Sequence, residues 1–531
     1  MKSFAISRWP FAIRPFLWVL LISAVLLAPS IFWPFDYDQG TFAYGGWALL
    51  HGAKPYIDFW DIKPPNIFYT YAAAFAVFGN SVRAIRLLDY LNALLTVALL
   101  YATSIRLWRN RSWCYLAAIG TSFAFILQYY IFGHWNTAQT ETYSVPLLLG
   151  AFLLILPSPR ISLRTTLGYS AIRSVIAGIL LGISFYFKFP NGLFLLFILA
   201  AIWIENEDEA NTKIKSSAWL LAGFIFSIGL ESAYLAAMGE FIPLWNLTIS
   251  ETASYISTNY SGHFTVWNNI RTSTQALDSL WLFGGAMGWF AAAMLRGGSV
   301  DRRGIRWFVV LVIGCMIALL AVQAGNKGYT YHYAILLPWA DLLIGAGLAQ
   351  LISVLAGIRF PRVAWAAALL FILSVGSYYW SSAPVLSSRI LELREIAIGH
   401  KAANGYISGD TLSNYVIEHT QRGDSIFIFG FQPYVYWKSG RTPSVKFLNT
   451  IHFKPKNAII SERDELVHTL LCNPPALFLV EMADRYTSQG NSNDDSRTTI
   501  RLRYPEIEEL LLRRYLPVDT IQSTIIYKRT F

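Results

Sequence analysis

Charge is scarce in this chain: of 531 residues only 14% are Asp, Glu, Lys or Arg, while 55% are hydrophobic. Soluble globular domains carry about a quarter charged residues, so a fully water-exposed surface is excluded. Cysteine is nearly absent as well. Three residues, Cys114, Cys315 and Cys472, cannot build a disulfide framework, and the first two lie inside apolar runs. The sequence also lacks a phosphate-binding Gly-rich loop, a Cys-x-x-Cys pair, a nucleophile elbow and a repeat of fixed period. Those absences leave ATP-driven transport, structural zinc and serine hydrolysis without a motif. His51, His134 and Glu141 do not form a metal-ligand spacing, so no cofactor and no divalent metal is expected.

What the sequence does hold is a succession of apolar runs of roughly 17 to 22 residues, each long enough to cross about 30 Å of hydrocarbon as a helix. They predict about eleven spans, near 16–34, 84–105, 113–131, 141–157, 170–187, 189–204, 217–238, 278–295, 307–323, 333–353 and 363–380. The first run lacks a small-residue cleavage site and ends at Pro34 and Asp36, which reads as a retained helix. The net charge of +10 comes from Lys and Arg gathered in short clusters between runs, such as Arg106, Arg109 and Arg111, or Arg302, Arg303 and Arg306. This is a topological pattern, not a nucleic-acid surface. It predicts a cytoplasmic N-terminus and, after an odd number of spans, an extracytoplasmic C-terminal part.

Two loops and the C-terminal part stand apart. The first outer loop, 35–83, has apolar stretches of about a dozen residues near Phe42–Leu50 and Ile67–Phe78, too short to span and expected as helices lying on the membrane surface. The second, about 239–277, is expected as a polar, aromatic connection or lid. From about Ser381 the composition becomes that of a soluble domain. A helix is expected over Asn404–His419, with strands at Ser425–Gly430, Ala476–Val480 and Ser523–Tyr527. The expected architecture is a polytopic α-helical membrane domain, 1–380, followed by a small α/β extracytoplasmic domain, 381–531.

The chemistry-bearing residues cluster in the first outer loop. Pro34-Phe-Asp36-Tyr-Asp38-Gln39-Gly40 leaves the first helix at the membrane interface, where its acids are either solvated or one is a catalytic carboxylate with a neighbour. Lys54-Pro-Tyr-Ile-Asp58-Phe-Trp-Asp61-Ile-Lys63-Pro64-Pro65 follows, where a Lys between acids either pairs with them or binds a phosphate. Glu231, within the seventh span, is an intramembrane acid that suits function or helix pairing equally.

Together these segments resemble the GT-C superfamily of membrane glycosyltransferases, in particular glycosyltransferase family 39 and the dolichyl-phosphate-mannose mannosyltransferase-like branch of bacterial type. The residues carrying the resemblance are Asp38-Gln39-Gly40, Gly52-Ala-Lys-Pro55-Tyr56-Ile-Asp58 and Asp61-Ile-Lys63-Pro64-Pro65. It extends through Gly79–Leu88, Thr140-Glu141, Lys188-Phe-Pro-Asn191-Gly192, and His332-Tyr333 with Pro338, covering most of the membrane region. The resemblance implies an inverting hexosyl- or pentosyltransferase that moves a sugar from a polyprenyl-phosphate donor to a hydroxyl acceptor, whether lipid, glycan or protein. In that pattern Asp38 is the general base; Lys63, Lys188, His332 and Tyr333 bind the donor phosphate; Asp36, Asp58, Asp61 and Glu141 support them. Where the family commonly has Glu after the base, this chain has Gln39, so a role there needing a second negative charge, metal coordination included, has no carboxylate. For the secondary positions a plainer reading stands beside each role: Lys188 as a snorkelling cation, Glu141 as a helix cap, His332 as an interfacial histidine. A transporter or flippase of a lipid-linked substrate is the alternative function. It would be expected to show inverted repeats and broken helices in matched halves, and neither is evident.

Overall fold

The computed structural model describes residues 9–157, 167–205, 210–257, 302–324, 329–355, 383–388, 390–391, 394, 407–454, 460–482, 484 and 494–530. The chain packs as two compact units, each assembled from separate stretches: Met1–Trp33, Arg86–Glu231 and Thr265–Arg394 in one, Pro34–Ile85, Ser232–Phe264 and Glu395–Phe531 in the other. The first outer loop therefore packs with the C-terminal stretch, where the sequence boundary expected near residue 380 would group it with the spans.

In chain order the helices are α1 (Trp9–Leu27), α2 (Tyr37–Leu50), α3 (Asn66–Phe78), α4 (Val82–Trp108), α5 (Cys114–Asn136), α6 (Thr140–Ile155), α7 (Leu167–Phe185), α8 (Phe194–Glu205), α9 (Ala210–Met238), α10 (Phe241–Ser257), α11 (Arg302–Ala324) and α12 (Leu337–Leu355). Among the described residues five stretches are long and apolar enough to cross a membrane: Ile13–Phe32, Val82–Trp108, Cys114–Asn136, Ala210–Met238 and Arg303–Ala324. Shorter apolar helices stand where three more spans were expected, near 141–157, 170–187 and 189–204, and the 19-residue α12 stands near 333–353; short 3₁₀ turns at Phe189–Leu193 and Thr330–Ile335 open the last two. The segments at 278–295 and 363–380 lie outside the described residues.

The first unit is a helix bundle around one apolar core that includes Phe152, Phe197, Trp307 and Trp339. Apolar side chains cannot by themselves drive helices together in lipid, so close backbone approach matters. Small residues supply it between α5 and α12: a Cβ on Gly345 would lie 2.5 Å from the Ala117 carbonyl oxygen and 2.1 Å from Thr121 Oγ1. Leu17, Trp18, Leu21 and Val25 on α1 point outward, as a lipid-facing stripe requires.

In the second unit α2 and α3 are helices, as expected; α3 keeps an exposed face that includes Val77 and Phe78, whereas α2 is not a surface-lying amphipathic helix. Every position of α2 from Gln39 to Gly46 is buried, and Phe42 packs edge-on against Phe68 and Tyr71 of α3. Glycine makes this possible: a Cβ on Gly46 would lie 2.7 Å from Tyr71 Cβ, so the two axes approach as only a side-chain-free position allows. The stretch expected as a polar connection contains α10, whose Phe241, Ile242, Leu244, Trp245 and Ile249 give it helical apolar content that outweighs its polar residues.

The C-terminal stretch forms α13 (Ile407–His419), β1 (Ser425–Phe429), α14 (Pro433–Ser439), β2 (Thr442–Pro443), α15 (Ile460–Cys472), β3 (Leu477–Glu481), α16 (Ser496–Arg503), α17 (Pro505–Arg514), β4 (Tyr515–Ile521) and β5 (Thr524–Arg529). The sheet order is β2-β1-β3-β5-β4, with β1 parallel to β2 and β3, and β5 antiparallel to β3 and β4. Strands β1 and β3 are buried almost throughout, as parallel strands covered on both faces must be. The three expected strands are present; β2 and β4 were not foreseen, the latter because most of its positions are exposed and show no apolar alternation.

Candidate active site

The start of α2 is built from the sequence Asp36-Tyr37-Asp38-Gln39. Asp36 has extended backbone, φ −124° and ψ −174°, and its Oδ1 accepts from the Tyr37 N–H at 2.7 Å. In return the Asp36 N–H donates to Gln39 Oε1 at 2.5 Å, completing a reciprocal capping box. Asp36 is thus a helix cap and Gln39, fully buried, is its partner. Held between them, Asp38 occupies the first turn, where the aligned peptide dipoles favour a carboxylate. Two residues on, Gly40 faces α14: a Cβ there would stand 2.9 Å from the Tyr434 backbone nitrogen. The Asp-Gln-Gly triplet therefore combines a first-turn carboxylate, a capping amide and a contact glycine.

The second segment folds into consecutive turns that put its charges in different places. The Lys54 N–H donates to Asp58 Oδ2 at 2.7 Å in an exposed turn, so Asp58 serves the backbone. Tyr56, with φ 67°, donates its N–H to the Phe59 carbonyl at 2.6 Å and its hydroxyl to the Lys63 carbonyl at 2.8 Å. Asp61 Oδ1 accepts from the Lys63 N–H at 2.8 Å. Asp61 is buried, and burial pushes its carboxyl up to about 6; Lys63 opposes that rise, and the charge on Asp38 adds to it. Asp61 thus lies close enough to both Asp38 and Lys63 to sense their charges. Trp60 fixes the segment to the C-terminal stretch by donating its N–H to the Lys446 carbonyl at 2.8 Å and stacking on His452.

A second group of expected residues assembles in the first unit. Glu141, in the first turn of α6 and fully buried, pairs with Lys188 Nζ at 2.5 Å and lies 3.7 Å from His332 Nε2. Thr140 Oγ1 donates to its other oxygen at 2.6 Å. The capping role considered for Glu141 belongs instead to Gln139, whose backbone N–H donates to Thr142 Oγ1 at 2.9 Å. Lys188 is partly buried and salt-bridged, which corrects the picture of a cation that merely snorkels to the interface. Its tight turn is secured by Asn191, whose Nδ2 donates to Ser144 Oγ at 2.9 Å and to the Ser184 carbonyl at 3.2 Å. Tyr333 is buried in the apolar core of the bundle.

One polar cluster was not foreseen. On α4, Arg86 and Asp89 are fully buried one turn apart; Arg86 donates to Thr137 Oγ1 at 3.1 Å and to the His134 carbonyl at 3.0 Å. Asp89 accepts from the Ala138 N–H at 3.1 Å and from the Tyr129 hydroxyl at 2.7 Å. These bonds hold a bend at Gly133 (φ 67°) and Ala138 (φ 56°) just before Glu141. The signal available in the sequence was two opposite charges at i, i+3 spacing inside an apolar run. Glu231 is the last residue of the first unit's central stretch, on α9. Among the described residues no group of three or more His, Cys, Asp or Glu side chains is placed to hold a metal ion.

No protein-family model and no curated protein matches the sequence. Solved structures do. ArnT from Cupriavidus metallidurans, bound to undecaprenyl phosphate, superposes with a TM-score of 0.55 at 14% identity, over 98% of this chain and 98% of that one. The archaeal oligosaccharyltransferase AglB from Archaeoglobus fulgidus, in complex with an inhibitory peptide and a dolichol-phosphate, gives a TM-score of 0.54 at 12% identity, over 89% of this chain and 70% of that one. The mycobacterial arabinofuranosyltransferase AftD gives 0.50 at 14% identity, over 99% of this chain and 42% of that one. At such identities the likeness concerns architecture, and it agrees with the apolar helices and the small C-terminal sheet described above. The chain is a multi-pass membrane protein with the GT-C fold of membrane glycosyltransferases.

Proposed function

We propose that this protein is an inverting glycosyltransferase that takes a sugar from a polyprenyl-phosphate donor and passes it to a hydroxyl acceptor at the outer face of the plasma membrane. The observation that carries the reading is Asp38, fixed on the first turn of α2 by the Asp36–Gln39 capping box and within electrostatic reach of Asp61, which also senses Lys63. The fold supports it, since two of its structural neighbours hold a polyprenyl or dolichyl phosphate. The basic clusters between spans support the orientation, with the N-terminus cytoplasmic and the C-terminal stretch outside.

In the reaction, Asp38 accepts the proton of the acceptor hydroxyl as that oxygen bonds to the anomeric carbon. The bond between the anomeric carbon and the phosphate oxygen breaks with inversion, and the electron pair leaves on the polyprenyl phosphate. Positioning at the interface makes the encounter effectively intramolecular, and general-base assistance of this kind contributes roughly 10²- to 10⁴-fold. Lys63 supplies positive charge for the phosphate; by the sequence resemblance alone Lys188 is a further candidate for that role, its ammonium oriented by Glu141, which His332 also approaches. Hexose or pentose as the transferred sugar, and lipid, glycan or protein as acceptor, are read directly from labelled products. The test is Asp38→Asn in membranes supplied with labelled hexosyl and pentosyl polyprenyl phosphates. Transfer should fall at least 10²-fold; undiminished transfer removes Asp38 as base, and absence of transfer by the parent removes the reading.

A further inference from the structure

The second unit contains a cavity of about 180 Å³ that the reaction above does not use, lined chiefly by Tyr37, Gln432, Glu481, Asp484, Gln522 and Ser523. Its polar groups are rigidly set. Glu481, at the end of β3, accepts from the Phe431 N–H at 2.5 Å on one oxygen and from Gln432 Nε2 at 2.7 Å on the other. Asp484 accepts from Lys454 Nζ at 2.6 Å and from the Ser496 N–H and hydroxyl at 2.9 and 2.7 Å. Asp484 Oδ2 is saturated by Lys454 and the Ser496 hydroxyl, but both Glu481 oxygens and Asp484 Oδ1 each keep a second lone pair, so the cavity presents pre-oriented acceptors beside a hydroxyl and an amide. Gly430 keeps the seat of Glu481 clear: its backbone has φ 156°, and a Cβ there would stand 2.2 Å from Glu481 Oε2. On another side the Tyr37 ring is stacked against Phe431, with centroids 5.0 Å apart, making a braced aromatic plate.

This lining selects by chemistry. Among the described residues the two carboxylates meet one cation, Lys454, which pairs with Asp484 and acts on Glu481 through its charge, so an anion is disfavoured, and polar walls disfavour an alkyl chain. Burial and the neighbouring Asp484 raise the Glu481 carboxyl, which lets it serve hydroxyls as acceptor or as donor. Carboxylates, an amide and a hydroxyl facing an aromatic plate suit a hydroxyl-rich ring with one C–H face. Size limits it further: at about 180 Å³ the cavity is smaller than the roughly 300 Å³ of drug-sized sites. That is one ring and not a chain. Tyr37 immediately precedes Asp38, so whatever sits against it is one residue from the proposed base.

We infer that this cavity holds a single saccharide ring belonging to the acceptor. The inference rests on the glycosyltransferase reading, which it deepens by naming the acceptor as a glycan-bearing molecule. The test uses the full chain in detergent and saturation-transfer difference NMR with methyl glycosides of glucose, galactose, mannose, N-acetylglucosamine and arabinose. The parent should saturate the ring protons of at least one glycoside. Ser523→Phe, which fills the cavity from the half-buried turn between β4 and β5, should lower that signal at least fivefold. Glu481→Gln, which keeps an oxygen for the Phe431 N–H, should also lower it. An unchanged unfolding midpoint shows that each variant is folded. No signal from any glycoside with the parent, a signal that survives Ser523→Phe, or binding of ethanolamine alone overturns the inference. The two readings fail separately: glycoside binding that persists in a protein unable to transfer sugar counts against the enzyme, whereas transfer by Ser523→Phe with unaltered acceptor KM counts against the cavity.

Discussion

Gln39 offers the sharpest test of how the α2 start works. The resemblance places a Glu where this chain has Gln, and a role needing charge would make the difference decisive. The structure gives the side chain a different job: Gln39 Oε1 accepts the buried Asp36 N–H at 2.5 Å. Glu and Gln perform that job alike in a capping box. Gln39→Ala removes the acceptor and leaves a buried N–H without it, which costs about 1–3 kcal/mol. It also loosens the turn that carries Asp38, so transfer should fall with the acceptor KM little changed, because the base is misplaced while acceptor contacts remain. Gln39→Glu should restore both stability and transfer to near the parent. Unfolding midpoints in detergent and labelled-sugar transfer, measured on the same preparations, provide the readout. Equal midpoints and equal rates for parent and Gln39→Ala would refute the capping argument, and a Gln39→Glu protein as poor as the alanine variant would show that charge, not capping geometry, governs this position.

Three further outcomes follow from the same geometry. Asp61 has its carboxyl raised from 3.8 to about 6 in the folded protein, so the stability it contributes is complete below about pH 4 and is lost as pH rises through 6. At about 1.4 kcal/mol per pH unit the loss is about 3 kcal/mol, and Asp61→Asn should abolish it; a parent and variant with the same change in unfolding midpoint between pH 4 and 7 would contradict this. Lys188→Met strands the buried Glu141 carboxylate and should destabilise by about 3–5 kcal/mol, whereas pairing it with Glu141→Leu should recover stability but not transfer. Recovery of transfer in the double variant would show that the pair is purely structural. Gly40→Ala forces a methyl against the Tyr434 backbone and should cost about 1–3 kcal/mol with reduced transfer, measured by the same two assays; a variant indistinguishable from the parent would mean that α2 and α14 are not held at this spacing.

The elements legible in the sequence were those whose signal is local. Apolar length located α4, α5, α9 and α11, and turn residues bracketed β1, β3 and β5. The amphipathic reading of α2 failed because it assumed water on one face. Gly40, Gly45 and Gly46 instead let other elements close around the helix, and nothing in the local apolar pattern says which neighbour a glycine will meet. For α10 the polar residues Asn246, Ser250, Glu251 and Thr252 masked a helical run of Phe241, Ile242, Leu244, Trp245 and Ile249.

The site divides along the same line. Asp-x-x-Gln at the start of α2 is a capping signature readable without coordinates, and it marks Asp36 as a cap. Glu141 with Lys188, 47 residues apart, and Arg86 with Thr137, 51 apart, could not be paired by spacing. What the sequence could give was a shortlist. A charge in an apolar setting is expensive unless it is bonded, so in a chain this poor in charge each ionisable residue within or beside a span requires a partner. Glu141, Lys188, Arg86, Asp89 and Asp61 each meet that requirement through a side chain or a backbone N–H. Asp58, by contrast, bonds the backbone of an exposed turn, where solvation already satisfies it. Burial cost therefore distinguishes the charges that organise the site from those that merely shape the loop, and it does so for Asp58 and Asp61 although only Phe59 and Trp60 separate them in the sequence.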